Sequence, residues 1–302
     1  MKALNKSVLL GISTMALAIA LPVSQVRAIT VDGTLDAGYG SALAVNINPT
    51  GFGDSSYTAG PNTPDANGSE TDAGYGVIQG GTLYLFLSGN SENNGNHWNV
   101  FISDGRAGQS VLSVPATGSM QTMNGSAFSP GFSATYAFDL NDYQGTAYVE
   151  EYTLTGPGTL GGGFTGSFSL GPNGGIGSGT GGTTAMIGVN NSNVGGVTGS
   201  SGSTNASLAV MTGLELAIPL SSLGNPTGPI SVLADINGGS DGFLSNQFLP
   251  GLPSGTGNLG NGGKFDFSGT PNEFFTVVPE PSTIGLVITG LLGALAIRRR
   301  KA

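Results

Sequence analysis

Short runs in which apolar and polar residues alternate with a period of two fill the middle of the chain, and they predict strands. Thr82-Leu83-Tyr84-Leu85-Phe86-Leu87 is apolar on both faces, as expected of a central strand covered on both sides. Trp98, Val100 and Ile102 alternate with Asn99, Phe101 and Ser103 in another largely buried strand. Tyr148, Glu150 and Tyr152 alternate with Val149, Glu151 and Thr153 in a more exposed one. Leu214, Leu216 and Ile218 predict an inward face with Glu215 turned outward, and Pro219 ends that strand. Ile230, Val232, Ala234 and Ile236 repeat the pattern. No amphipathic helix of three turns is evident. About twelve short strands between glycine and asparagine turns predict an all-β fold, a β-sandwich.

Residues 156–204 differ in texture, with Gly161-Gly162-Gly163, Gly174-Gly175 and Gly181-Gly182 between isolated apolar residues. The segment reads as a glycine-rich insertion or as long hairpins, and the strand spacing of Phe164-Thr165-Gly166-Ser167-Phe168 favours paired strands with loose tips. Asp36-Ala37-Gly38-Tyr39-Gly40 recurs as Asp72-Ala73-Gly74-Tyr75-Gly76, which is expected to mark two similar turns entering strands.

The two ends follow other rules. Lys2 and Lys6 precede a charge-free apolar stretch from Val8 to Leu21, Pro22 breaks it, and Val26-Arg27-Ala28 offers small residues where a signal peptidase inspects the chain. Residues 1–28 therefore read as a secretory signal helix cleaved after Ala28, and the alternative is a retained anchor helix. At the other end Pro279-Glu280-Pro281 is followed by Thr283–Ile297 without a charge, then by Arg298-Arg299-Arg300-Lys301. The apolar run is only marginally long enough to span a bilayer, and the basic cluster behind it acts as a stop-transfer signal. Prolines on both sides of Glu280 keep the tripeptide extended, as a scissile segment must be.

This tail resembles the PEP-CTERM sorting signal of Gram-negative bacteria, in which the tripeptide, a short transmembrane helix and an arginine cluster occur in the same order. The resemblance implies that residues 279–302 are recognised by a membrane-embedded exosortase that cuts near Pro279-Glu280-Pro281. An uncleaved tail anchor is the competing reading. The resemblance also implies a host that makes exopolysaccharide. Residues 29–278 are then the exported domain.

Composition narrows what that domain can do. The chain has 302 residues, 54 of them glycine, with no cysteine and a single histidine. These counts exclude a disulfide scaffold, a cysteine nucleophile and a multi-histidine metal site within one chain. Of nine basic residues only Arg106 and Lys264 lie within 29–278, against 17 of the 18 acidic ones, giving that domain a formal charge of −15. Such a charge disfavours nucleic acid as a partner and suits cations and neutral sugars.

Within the body, Val31-Asp32-Gly33-Thr34-Leu35-Asp36 resembles the opening of family 9-like carbohydrate-binding modules. The segments Leu83–Leu87, Trp98–Ile102 and Gly213–Leu220 resemble later strands of that sandwich, in order. This resemblance implies a jelly-roll-like fold with a sugar face and a structural calcium.

Three catalytic patterns occur and fail on context. Gly156-Pro157-Gly158-Thr159-Leu160-Gly161 fits a dinucleotide loop, but more glycine follows where a helix should start. Gly238-Gly239-Ser240-Asp241-Gly242 fits a nucleophile elbow, yet the histidine, His97, lies upstream and no helix follows. Glu150 and Glu151 point to opposite faces of a strand and cannot form a glycosidase pair. The expectation is a protein that is not an enzyme. Two binding sites are expected as candidates. Asp235, Asn237 and Asp241 place oxygen ligands where a strand runs into a glycine-rich turn, which suits calcium, although solvated side chains on an ordinary turn would read the same way. Trp98, Tyr84 and Tyr148 could stack on a sugar, with a core role the favoured reading for Trp98 and a surface or edge position expected for His97. The functional expectation is an exported structural or adhesive protein of an exopolysaccharide matrix, with a lectin-like module as the alternative.

Overall fold

A computed structural model describes residues 27–51, 68–155, 161–171, 175–193 and 202–279. The signal segment 1–26 and the sorting segment from Glu280 onward, including Pro281 and Arg298 to Arg300, lie outside the described residues, as does the Gly156–Leu160 stretch. Arg27 and Ala28 are exposed and irregular. Among the described residues no helix is long and apolar enough to cross a membrane.

The strands form two sheets, and every pairing between them is antiparallel. The smaller sheet runs β1 (Ala44–Val45), β2 (Glu70–Gln79), β3 (Thr82–Asn90), β10 (Gly213–Pro219), β9 (Met186–Asn190), β8 (Ile176–Gly179). The larger runs β13 (Gly260–Asn261), β12 (Phe243–Leu249), β11 (Ile230–Asn237), β4 (Asn94–Ser103), β5 (Tyr136–Tyr143), β6 (Thr146–Thr153), β7 (Gly161–Ser169). β14 (Phe275–Val277) pairs with the first half of β11. The only α-helix among the described residues is one turn, α1 (Thr204–Ser207), capped by the Ser203 hydroxyl.

The period-two pattern sets this arrangement. Leu83, Leu85 and Leu87 of β3 and Leu214, Leu216 and Ile218 of β10 turn inward from one sheet. Trp98, Val100 and Ile102 of β4 and the even-numbered apolar residues of β11 meet them from the other. The β-sandwich expected from the sequence is therefore present. The glycine-rich segment supplies paired strands, as its spacing predicted: β7 extends the larger sheet, and β8 pairs with β9 on the smaller.

Both outer faces are covered as well, which the alternation did not reveal. Residues 104–135 and 250–274 cross the larger sheet and bury a second apolar core around Phe101, Phe128, Phe248 and Phe265. Tyr152 joins it and is fully buried, so β6 is less exposed than its sequence suggests. On the smaller sheet the irregular N-terminal segment lays Tyr39 against Phe86, with ring centroids 5.9 Å apart. Glu215 therefore faces away from the central core without reaching solvent. It accepts the N–H groups of Asp32 at 2.9 Å and Gly33 at 3.0 Å, and the Tyr39 hydroxyl at 2.7 Å. Gly33 has φ of +77, and a Cβ there would stand 2.5 Å from the Asn190 nitrogen, so only glycine fits this clasp.

The five-residue echo has two different fates. Asp36–Gly40 forms the expected turn, whereas Asp72–Gly76 lies inside β2. The two tyrosines nonetheless converge, because Tyr75 also packs on Phe86, at 5.8 Å. The glycines of the second copy make room for β14: a Cβ on Gly74 would meet the Phe275 ring at 3.0 Å, and one on Gly76 would meet the Val277 side chain at 2.4 Å.

Candidate functional site

The outer face of the larger sheet changes character along its strands. One row across it, Leu233, Phe101, Ala137 and Tyr152, belongs to the second apolar core. The next row is Asp235, Asn99, Asp139 and Glu150, and the one after is Asn237, His97, Asn141 and Tyr148. Side chains opposite one another in such rows have Cβ atoms about 4.5–5.5 Å apart, so the register alone brings these polar groups together. The 3₁₀ turn Gly239–Asp241 then folds back over them. Ser240 and Asp241 take left-handed backbone angles, φ 55 and φ 52, a conformation that costs energy away from glycine. Through it the Asp241 carboxylate reaches Asn99, whose Nδ2 donates to Oδ1 at 2.7 Å.

His97 is wholly buried and not the surface residue its asparagine-rich surroundings suggest. Its Nδ1 lies 2.8 Å from Asp139 Oδ1, and its Nε2 accepts the Ser240 N–H at 3.2 Å, which leaves the ring proton on Nδ1 to donate to Asp139. Burial lowers the affinity of this ring for a second proton and the charges on Asp139 and Asp241 raise it, but the Ser240 N–H aimed at Nε2 leaves that proton no place, so the ring is held neutral. Burial likewise raises Asp139 against the pull of His97. Asp235 is held well above the usual carboxylate range, first by desolvation and then by the charge on Asp241. The amides of Asn237 and Asn99 ease that cost, but neither makes a hydrogen bond of normal geometry with it.

The sequence-predicted trio Asp235, Asn237 and Asp241 is thus brought together and fully buried, not solvated on a turn. Sequence reading missed Asn99, Asp139 and His97, which arrive from β4 and β5. The signal available was the matching period: His97, Asn99 and Asp139 are polar residues at positions that the strand pattern assigns to one face. An open cleft of about 420 Å³ beside the cluster is lined by Glu150, Ser240 and residues 116–119, 121 and 122. Glu150 accepts the Ser119 N–H at 2.8 Å and the Tyr152 hydroxyl at 2.6 Å.

The three candidate aromatics do not form a platform. Trp98 is fully buried in the inter-sheet core, with no face left for a sugar ring. Tyr84 is half-buried on the outer face of the smaller sheet, against the N-terminal segment. Tyr148 lies on the opposite side of the molecule, 39% exposed, with its ring 6.3 Å from that of Phe164 on β7. The elbow-like Gly238–Gly242 stretch joins β11 to β12 with no following helix, and it presents a backbone N–H to His97.

A second group of buried acids lies at the ends of β2 and β5. Asp72 is fully buried with neither carboxylate oxygen hydrogen-bonded. Asp142 is bound through one oxygen by Asn191 Nδ2 at 2.6 Å.

The last strand among the described residues ends at Val277, and Val278 is already 65% exposed. Neither a curated protein nor a solved structure matches the chain, so the likeness of the body to carbohydrate-binding modules gains no support. The family model of the PEP-CTERM protein-sorting motif matches residues 277–301, beginning on the final residue of β14. The chain therefore carries a PEP-CTERM sorting motif, which implies an exported substrate of exosortase, held in the membrane until it is processed.

Proposed function

We propose that the body is a structural or adhesive component of an exopolysaccharide matrix, delivered to the cell surface or into the matrix when exosortase processes the tail. The observation that carries this reading is the sorting motif joined directly to a folded, acidic sandwich. With Arg106 and Lys264 its only basic side chains, residues 29–278 suit a hydrated neutral or cation-bridged polysaccharide and repel polyanions. The reading gives the body no catalysis. Both nitrogens of His97 are engaged, and Nε2, the position a serine hydroxyl would need, is met by a backbone N–H. The test is fractionation of the native host beside a strain unable to make exopolysaccharide. Retention in the matrix fraction of the first and loss to the medium in the second is the expected result; the same distribution in both contradicts it.

A lectin-like role is the second reading, favoured by one observation, the exposed Tyr148–Phe164 pair, with Phe164 59% exposed. Exposed ring faces of this kind stack on the apolar face of a pyranose. A glycan array should then give a defined ligand that a Tyr148→Ala, Phe164→Ala double variant loses.

A further inference from the structure

We propose that Asn99, Asp235, Asn237 and Asp241 bind one calcium ion beneath the Gly239–Asp241 turn, on the outer face of the larger sheet. All four residues are fully buried. Five of their side-chain oxygens have no hydrogen-bond partner: Asn99 Oδ1, both oxygens of Asp235, Asn237 Oδ1 and Asp241 Oδ2. A buried polar atom left unpaired costs about 1–3 kcal/mol, and more when it is charged. Five in adjacent positions indicate a ligand that accepts all of them together.

The register explains the convergence. Asn99 and Asp235 are opposite each other across β4 and β11, and Asn237 follows Asp235 by two residues on the same face. Asp241 is returned to them by the left-handed Ser240–Asp241 step. Strands hold three of the four side chains, so the site exists before the ion arrives. The remaining polar atoms of the cluster are used: Asn99 Nδ2 binds Asp241, Asn237 Nδ2 faces the Met123 sulfur at 3.6 Å, and His97 serves Asp139.

Charge leads to the same assignment. The exported part has two basic side chains. Arg106 is bound to Asp104, and Lys264, next to Gly263 on the Asp241 backbone, is exposed and forms no ion pair with the cluster. No lysine or arginine among the described residues pairs with Asp235 or Asp241.

The donor set selects the ion. Oxygen alone, from two carboxylates and two amides, suits a hard cation. Calcium takes six to eight oxygens at about 2.3–2.6 Å in flexible geometry, so five protein oxygens with water completing the shell are in range. Magnesium retains most of its water and fits fully buried side chains poorly. Zinc would draw on His97, Asp139 and Asp241, whose ligand atoms lie within 4.8 Å of one another, but both ring nitrogens of His97 are taken. The cleft lined by Glu150 and Ser240 gives a hydrated ion an acidic approach.

The test is calcium titration of the full chain, purified in detergent and stripped with a chelator, followed by calorimetry and thermal unfolding. We expect one calcium per chain and a rise in Tm of roughly 5–10 °C at calcium a hundredfold above Kd. Asp235→Asn should weaken binding at least tenfold and remove most of the rise, while Asp72→Asn, the other buried unpaired carboxylate, should retain both. If Asp235→Asn does not fold, Asp241→Asn, on the covering turn, should weaken binding to the same degree. A wild-type protein whose Tm and heat signal ignore calcium overturns the assignment. So does a response to zinc alone, or a calcium response lost in Asp72→Asn and kept in Asp235→Asn.

Discussion

Carboxyl groups buried without a basic partner recur through this protein, and each one is handled differently. Glu215 is satisfied by two backbone N–H groups and a tyrosine hydroxyl. An amide there would turn an NH₂ toward at least one of those donors, so Glu215→Gln should lower stability by about 1–3 kcal/mol in urea unfolding. An unchanged midpoint would show that the clasp holds nothing. Asp142 has a single amide donor, and burial pushes its pKa up to about 8 against the pull of Asn191. Between about pH 4 and 8 the native state keeps a proton that the unfolded chain has released, so this group's contribution is complete below the unfolded value and is lost as pH rises toward 8. The cost for one such group is at most about 1.4 kcal/mol per pH unit. Asp142→Asn should therefore flatten the fall in stability between pH 5 and 8, and a slope identical to wild type would contradict the assignment.

Among the elements, β14 connects the sandwich to its tail. It is only three residues long and is seated by Phe275 and Val277 in the hollow over Gly74 and Gly76. Gly76→Ala places a methyl 2.4 Å from Val277, which should cost about 1–3 kcal/mol and open residues 275–279 to limited proteolysis. Wild-type resistance in that variant would mean that β14 is held by its pairing with β11 alone. The strands themselves were legible, because Leu83, Leu85 and Leu87, or Trp98, Val100 and Ile102, state their buried face by period. Their covers were not, since the segments over the outer faces lack a period and come from far along the chain. Glu215 looks solvent-facing for that reason. His97 looks like a surface residue because its partner Asp139 is 42 residues away. Asp235, Asn237 and Asp241 could be grouped because they are close in sequence, whereas Asn99 joins them only through the β4–β11 register.

For the whole molecule, charge and architecture agree with export. Among the described residues, nine acidic side chains are buried: Glu70, Asp72, Asp104, Asp139, Asp142, Glu215, Asp235, Asp241 and Glu273. Two basic side chains cannot answer them. Arg106 meets Asp104 and His97 meets Asp139, and backbone donors, asparagines, protons and the proposed calcium must serve the rest. The body offers its sorting motif at the end of its last strand, two residues before Pro279 and so no more than about 7 Å of extended chain away. Surface delivery requires that motif to be cut, leaving the sandwich behind as the mature protein. Intact mass of the protein from its native host measures this directly. The mature chain should end at or near Pro279-Glu280-Pro281, and a mass that still includes Arg298-Arg299-Arg300-Lys301 in cells with active exosortase would contradict processing.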